Sequence, residues 1–255
     1  MKLKNIKELL LKTYLLPANL NNRLAMSVRN RILPDYQHLE GLILMIKRLQ
    51  EQGDYGKLII DIGCFEGGTS LFFFQKLKSI KVIGFEASQQ SYKKALGNTV
   101  NQPSIKIENY AVSDFNGTTD FYVSDNKVSS SLNPATGLDK RFDMTTVEKV
   151  ETKKLDDYFA INKMDGEKIL AIKLDTQGHE LKVLAGAKET LKNTLFILTE
   201  MSNHNSYEGG AHYYEVDQVL RENGFLLQNV FTSFTYEKTL YEYDAIYINS
   251  KLAFH

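Results

Sequence analysis

The chain has 255 residues, 43% hydrophobic and 24% charged, with 16 Gly, 4 Pro, one Cys and no Trp; that supports a packed core and excludes collagenous, coiled-coil and disordered classes. Its 31 basic and 31 acidic residues cancel, so no overall field draws nucleic acid, and a lone cysteine excludes an internal disulfide. The longest stretch without charge, Asn223 to Tyr236, has 14 residues, Asn, Gln, Thr and Ser among them, too short and polar to span a bilayer, so a soluble, cytoplasmic protein is expected.

In chain order, residues 1–55 read as a helical extension and 56–255 as a separate α/β domain. Ile6, Leu9, Leu10, Thr13 and Leu16 share one helical face, and Leu39, Leu42, Ile43 and Ile46 share another after Pro34. Met1 to Gln50 holds 9 basic and 3 acidic residues, +6 against −6 for the remainder, which suits a solvated cap or an anionic partner surface. Lys12 interrupts the opening Leu run and no small-residue cleavage site follows it, so no leader peptide is expected. Apolar helix faces must be buried somewhere, which makes this extension a candidate homodimer contact or acceptor lid.

From Lys57 onward short apolar strands alternate with amphipathic helices. Strands are predicted at 58–61, 81–86, 105–111, 119–123, 147–153, 169–175, 195–200, 225–232 and 244–249, and helices at 69–77, 89–100, 155–159, 179–191 and 214–223. That alternation predicts a mostly parallel sheet covered on both faces, with an extra β-hairpin where 119–123 and 147–153 follow one another. Ligands of such sheets bind beyond the carboxyl ends of the strands, so the residues just after each strand are the candidates.

The first strand runs into Asp61-Ile62-Gly63-Cys64-Phe65-Glu66-Gly67-Gly68-Thr69-Ser70. Gly63 and Gly67 permit a tight turn and close backbone approach, and Thr69 or Ser70 can cap the helix. A dinucleotide fingerprint needs glycine where Phe65 stands, and no Gly-Lys-Ser/Thr follows for a phosphate loop. The second strand ends on Glu86, 25 residues after Asp61, where a carboxylate can accept hydrogen bonds from a ribose diol. Glycine turn and acid together indicate a nucleoside cofactor without a pyrophosphate, with S-adenosylmethionine the leading candidate.

The ordered set Asp61-Ile62-Gly63 to Gly67, Gly84-Phe85-Glu86, Asn109 to Gly117, Lys153 to Tyr158 and Ile172-Lys173-Leu174-Asp175-Thr176-Gln177-Gly178-His179-Glu180 onward resembles the FkbM family of S-adenosylmethionine-dependent methyltransferases, over roughly residues 57–249. The resemblance implies a class I, Rossmann-like seven-stranded sheet and O-methylation of hydroxyls on sugars, polyketides and other metabolites. It implies that Asp61, Gly63, Cys64 and Gly67 surround the methionine and ribose, that Glu86 holds the ribose and that Ala111 flanks adenine. Two positions depart from the family's usual residues: Phe65 stands for Asn, and Gln177 for an acid.

For catalysis, alternation places Lys173 and Asp175 on one face, with Asp175 at its strand's carboxyl end and Glu200 at the end of the next. Asp175 and Glu200 are therefore candidates either for Mg²⁺ ligation or for a base and its orienting partner. His179 is a further candidate base. Acceptor contacts are expected from Ser130 and from the polar Tyr- and His-rich loop carrying Asn203, His204, Tyr207 and His212; His204, Glu208 and His212 lack zinc-motif spacing. The expected partner is a glycan or small-molecule acceptor. A nicotinamide oxidoreductase is the rival that Phe65 opposes, and a non-catalytic adaptor the rival that Asp61, Glu86 and Asp175 oppose.

Overall fold

The computed structural model describes residues 37–139, 141–236 and 239–253. The predicted face of Ile6 to Leu16, and most of the basic segment, lie outside them. The second predicted face is present: α1 (Gln37–Gln50) buries Leu39, Leu42, Ile43 and Ile46, the spacing of one helical stripe.

Next come β1 (Leu58–Ile62), α2 (Gly68–Lys76), β2 (Lys81–Phe85), α3 (Gln89–Thr99), β3 (Ile105–Glu108), β4 (Ala111–Val112), β5 (Gly117–Ser124) and β6 (Met144–Lys153). Then follow α4 (Leu155–Ile161), β7 (Ile169–Leu174), α5 (Glu180–Ala185), α6 (Lys188–Lys192), β8 (Thr194–Ser202), α7 (Tyr213–Glu222), β9 (Phe225–Tyr236), β10 (Thr239–Asn249) and α8 (Ser250–Ala253).

Seven strands form one sheet in the order β3-β2-β1-β7-β8-β10-β9. Pairings are parallel from β3 through β8, and β10 runs antiparallel to both β8 and β9. Every residue of β1 and of β7 is buried, as parallel strands covered on both faces must be. One face packs Ile60, Ile62, Phe85, Ile172 and Ile197 against Leu155, Leu184 and Leu220 of the helices, each such side chain contributing about 1.5–3 kcal/mol. Strand order reverses between β1 and β7, so their carboxyl ends open the crevice where ligands bind in open α/β sheets.

Two predicted boundaries are corrected. The single strand expected over 105–111 breaks at Asn109 and Tyr110, and Ala111 passes into a second, three-stranded sheet ordered β4-β6-β5; this contains the expected hairpin. The helix expected over 179–191 divides at Gly186, where a Cβ would come 2.0 Å from the Ser113 carbonyl oxygen.

Candidate active site

The turn after β1 is built on left-handed residues: Gly63 (φ +74°), Phe65 (φ +50°) and Gly67 (φ +82°). The backbone amides of Gly63 and Cys64 both donate to the Phe85 carbonyl at 3.0 Å, pulling the turn over β2. At Gly63 a Cβ would meet the Asp175 carbonyl oxygen at 1.9 Å, so only glycine lets the β1 and β7 tips close together. Cys64 is buried, and burial, then the nearby Asp61 and Glu86 carboxyls, push its thiol up; it is inert packing at the turn.

Glu86 closes the turn from the β2 side. Its Oε2 accepts the Phe65 amide at 2.8 Å and its Oε1 the Ser88 amide at 2.8 Å. Burial pushes the carboxyl up to about 7, against the pull of those two amides. Two of its roughly four acceptor positions are used, which leaves one on each oxygen. The side-chain amide of Asn109, at the β3 tip, donates to the Glu86 and Ala87 carbonyls at 2.8 and 3.1 Å. Ala111, expected beside adenine, instead packs with Phe121 and Val150 in the second sheet; Asn109 takes the strand-tip position.

Parallel register sets Asp61 of β1 beside Lys173 of β7. Asp61 is 0% exposed; its Oδ2 accepts the Ser70 hydroxyl at 2.6 Å, and its Oδ1 has no hydrogen-bond partner among the described residues. Burial raises its carboxyl, opposed by the Lys173 charge and the Ser70 bond. The Lys173 ammonium lies 3.8 Å from Asp61 Oδ1, 3.2 Å from the Gly63 carbonyl and 3.0 Å from Asp175 Oδ2. Burial works against that charge, but the two carboxylates hold its pKa well above the ordinary range. Asp175 keeps a 37% exposed side chain; desolvation pushes it up, yet Lys173 and the Gln177 amide leave it below its usual value.

Beyond Asp175 the chain turns sharply through Gln177 (φ +55°) and Gly178 (φ +91°). Glu180 caps the turn, its Oε1 accepting the Thr176 amide and hydroxyl at 3.0 Å each and the Gly178 amide at 3.2 Å. Gln177 Nε2 donates to Asp175 Oδ1 at 2.8 Å and to Glu200 Oε2 at 2.9 Å. The Tyr207 hydroxyl lies 2.8 Å from Gln177 Oε1 and 2.9 Å from the Ser129 carbonyl, and its one proton serves one of them at a time. Burial, then the Asp175 charge, drive Glu200 well above the usual carboxylate range.

Asp175 and Glu200 are thus neighbours, as the sequence predicts, with the Gln177 amide nitrogen set between them. Both Asp175 oxygens and one Glu200 oxygen already face N–H donors, so an ion bridging the two acids would have to displace the Gln177 amide. No metal-holding group of three His, Cys, Asp or Glu side chains occurs among the described residues.

His179 is corrected as a free base. Its Nδ1 sits 2.6 Å from Asn133 Oδ1 and its Nε2 2.9 Å from Ser113 Oγ. The Asn133 amide nitrogen donates to the Glu208 carbonyl at 2.8 Å, which fixes Oδ1 as the acceptor, Nδ1 as the protonated ring nitrogen and Nε2 as the acceptor from Ser113. Burial lowers its pKa to about 4. Neutral and doubly bonded, His179 holds the loops together.

The acceptor residues divide. Tyr207, buried and stacked on Phe142 at 5.4 Å, and His204, stacked on Tyr241 at 4.3 Å, line a small cleft with Glu180, Glu200 and Glu242. Ser130 is absorbed in its own turn, accepting the Ser124 amide at 3.0 Å and donating to the Lys127 carbonyl at 2.8 Å. Asn203 is tied to the Leu240 carbonyl at 3.1 Å, and His212 opens α7 stacked on Tyr214. The loop carrying Tyr207 is woven to the one following β5: Glu208 donates to the Pro134 carbonyl, Thr136 to the Ser206 carbonyl, and Ala135 bridges to Tyr207.

A sheet ordered 3-2-1 then 7-8-10-9, with β10 alone reversed, a glycine turn after β1 and an acid after β2, is the class I methyltransferase fold. Residues 61–227 match the family model described as the Methyltransferase FkbM domain. The chain belongs to that family. It is 34% identical over 164 residues to the 2-O-methyltransferase NoeI of Sinorhizobium fredii, an alignment covering 60% of this chain and 66% of NoeI. Among solved structures it is similar to magnesium protoporphyrin IX methyltransferase of Synechocystis PCC 6803 (14% identity, TM-score 0.45, covering 90% of this chain and 96% of that one). It is also similar to Aeropyrum pernix fibrillarin (10% identity, TM-score 0.43, covering 76% and 66%). No described helix is long and apolar enough to cross a membrane.

Proposed function

We propose that the chain is an S-adenosylmethionine-dependent O-methyltransferase that methylates a hydroxyl of a carbohydrate. The observation that carries the reading is Asp61 Oδ1, a fully buried acceptor behind the glycine turn with no hydrogen-bond partner among the described residues. Such an oxygen costs free energy unless a donor meets it, and a cationic amino acid fits it. With Glu86 offering two free acceptor positions to a diol across the same turn, the residues fit an amino-acid nucleoside.

When bound, S-adenosylmethionine supplies an electrophilic methyl group on a sulfonium. Asp61 would hold its amino group and Glu86 its ribose, while the turn amides keep the turn in place. Asp175, ionised beside Lys173 and with a side chain 37% exposed, is the group to orient the acceptor hydroxyl and take its proton as the oxygen is alkylated. Lys173 keeps Asp175 charged and turned toward the crevice.

The relative NoeI is named a 2-O-methyltransferase, which supports transfer to an oxygen. The small cleft beyond Gln177 sets carboxylates beside His204 and Tyr207, side chains of the kinds that meet sugar hydroxyls and apolar sugar faces, and it supports the carbohydrate reading by composition alone. Calorimetric titration with S-adenosylhomocysteine, followed by a mass-spectrometric screen of sugar acceptors, tests both parts. One-site binding and a +14 Da product are expected (one methylene per transfer, about 14 Da). Absence of binding by folded protein overturns the cofactor reading, and methylation confined to non-sugar acceptors overturns the carbohydrate.

A further inference from the structure

Three observations meet at Gln177. It holds a left-handed backbone without being glycine (φ +55°), and the next residue, Gly178, is also left-handed, so the chain is bent back to bring this side chain under the β7 tip. Both amide N–H groups are spent on carboxylates of adjacent strands, Asp175 Oδ1 at 2.8 Å and Glu200 Oε2 at 2.9 Å. The amide oxygen lies 2.8 Å from the Tyr207 hydroxyl, and the ionised Asp175 carboxylate, which can only accept, sets the amide's orientation: nitrogen toward the acids, oxygen toward Tyr207.

Two acids on neighbouring strand tips repel one another unless one keeps its proton or a group with positive charge or N–H donors stands between them. A divalent cation is one solution and an amide NH₂ with fixed orientation is another. We infer that Gln177 is a positioning residue that substitutes for a divalent cation between Asp175 and Glu200, so that this centre works without a metal. Lys173, 3.0 Å from the other Asp175 oxygen, completes a set of protein donors around that carboxylate. Replacing the Gln177 amide by a carboxylate of the same length removes the two donors and adds a third oxygen ligand set at the same place. That exchange changes the centre from one that excludes a cation to one that needs it.

The test reads cation binding, so it stands apart from S-adenosylmethionine binding and fails separately from it. Full-length protein, stripped with EDTA and desalted, is titrated with Mn²⁺ while free ion is followed by electron paramagnetic resonance. Wild type and Glu200→Gln are expected to give the same curve. Gln177→Glu is expected to gain one Mn²⁺ at least about tenfold tighter than any wild-type binding, since affinity rises with ligand charge count, and Gln177→Glu/Glu200→Gln to lose it. The inference is overturned if wild type binds one Mn²⁺ that Glu200→Gln abolishes. It is equally overturned if Gln177→Glu, folded by its thermal transition, gains none. Should Gln177→Glu not fold, the comparison of wild type with Glu200→Gln decides the matter alone.

Discussion

The Phe65 amide donates to Glu86 Oε2 at 2.8 Å, so the turn after β1 and the acid after β2 are one unit rather than two neighbouring features. Holding the acid's second oxygen on the Ser88 amide leaves both oxygens oriented before any ligand arrives. Preorganisation of this kind lowers the ordering cost of binding.

Glu86 should therefore govern cofactor affinity and its pH dependence. Hydrogen bonds to a charged group are worth about 1.5–3 kcal/mol, so Glu86→Gln should weaken S-adenosylhomocysteine binding by about 10- to 100-fold. An ionised carboxylate accepts more strongly than a protonated one, and Glu86 titrates at about 7. Wild-type affinity should accordingly tighten as pH rises through that value, and the Glu86→Gln profile should be flatter. Calorimetry across that range checks it; a parallel profile in the variant would remove Glu86 from the site.

Glu86 and His179 should tilt the pH dependence of folding in opposite directions. The Glu86 carboxyl is raised from 4.5 to about 7 by burial, so the native state holds the proton more tightly and the stability this gives is lost as pH rises across that interval. His179 is lowered from 6.5 to about 4 by burial, so its contribution is complete above 6.5 and is lost as pH falls toward 4. Relative to wild type, Glu86→Gln should make stability climb more steeply with pH, and His179→Gln should make it climb less. Urea denaturation at several pH values distinguishes the two signs.

Removing Lys173 should cost more than its visible bond to Asp175 suggests. Asp175 is partly solvated, but Asp61 is fully buried and Lys173 supplies the nearest positive charge. Leaving one member of a buried pair uncompensated costs about 3–5 kcal/mol, and Lys173→Met should fall in that range. Lys173→Met/Asp61→Asn should recover much of the stability while S-adenosylhomocysteine binding stays lost. Recovery of binding in the double variant would show that Asp61 holds no ligand.

Gly63→Ala tests the close approach of β1 and β7. Its methyl would lie 1.9 Å from a backbone oxygen, at φ +74°, where neither the atom nor the dihedral can relax cheaply. A loss of about 3 kcal/mol or more is expected in denaturant melts, against a much smaller effect of Gly68→Ala, where a Cβ meets nothing within 4 Å.

The sheet was legible because its signals are local: continuous apolar strands, helical stripes and glycine punctuation each declare an element. The tips of β1, β2 and β7 were legible for the same reason, since strand ends fix where Asp61, Glu86 and Asp175 stand. What the sequence concealed depends on contacts between distant segments. Ala111 reads as a strand end, but the break at Asn109 and Tyr110 sends it into another sheet. His179 reads as a base because nothing near it in sequence announces Asn133, 46 residues away, or Ser113, 66 away. Gln177 reads as a departure from an acid, and only the fold shows both its N–H groups committed. Glu180 was the one missed residue with a local signal, an acid four positions after Thr176, able to cap the turn.

The stitching of the Pro134–Thr136 segment to Ser206–Glu208 has a practical meaning for anyone wishing to redirect this protein to another acceptor. Those two stretches are about 70 residues apart in the chain yet share backbone hydrogen bonds and the Tyr207 anchor, like the warp and weft of one cloth. Grafting a foreign loop onto either strip alone would leave cut threads on the other, so a transplant must carry both together.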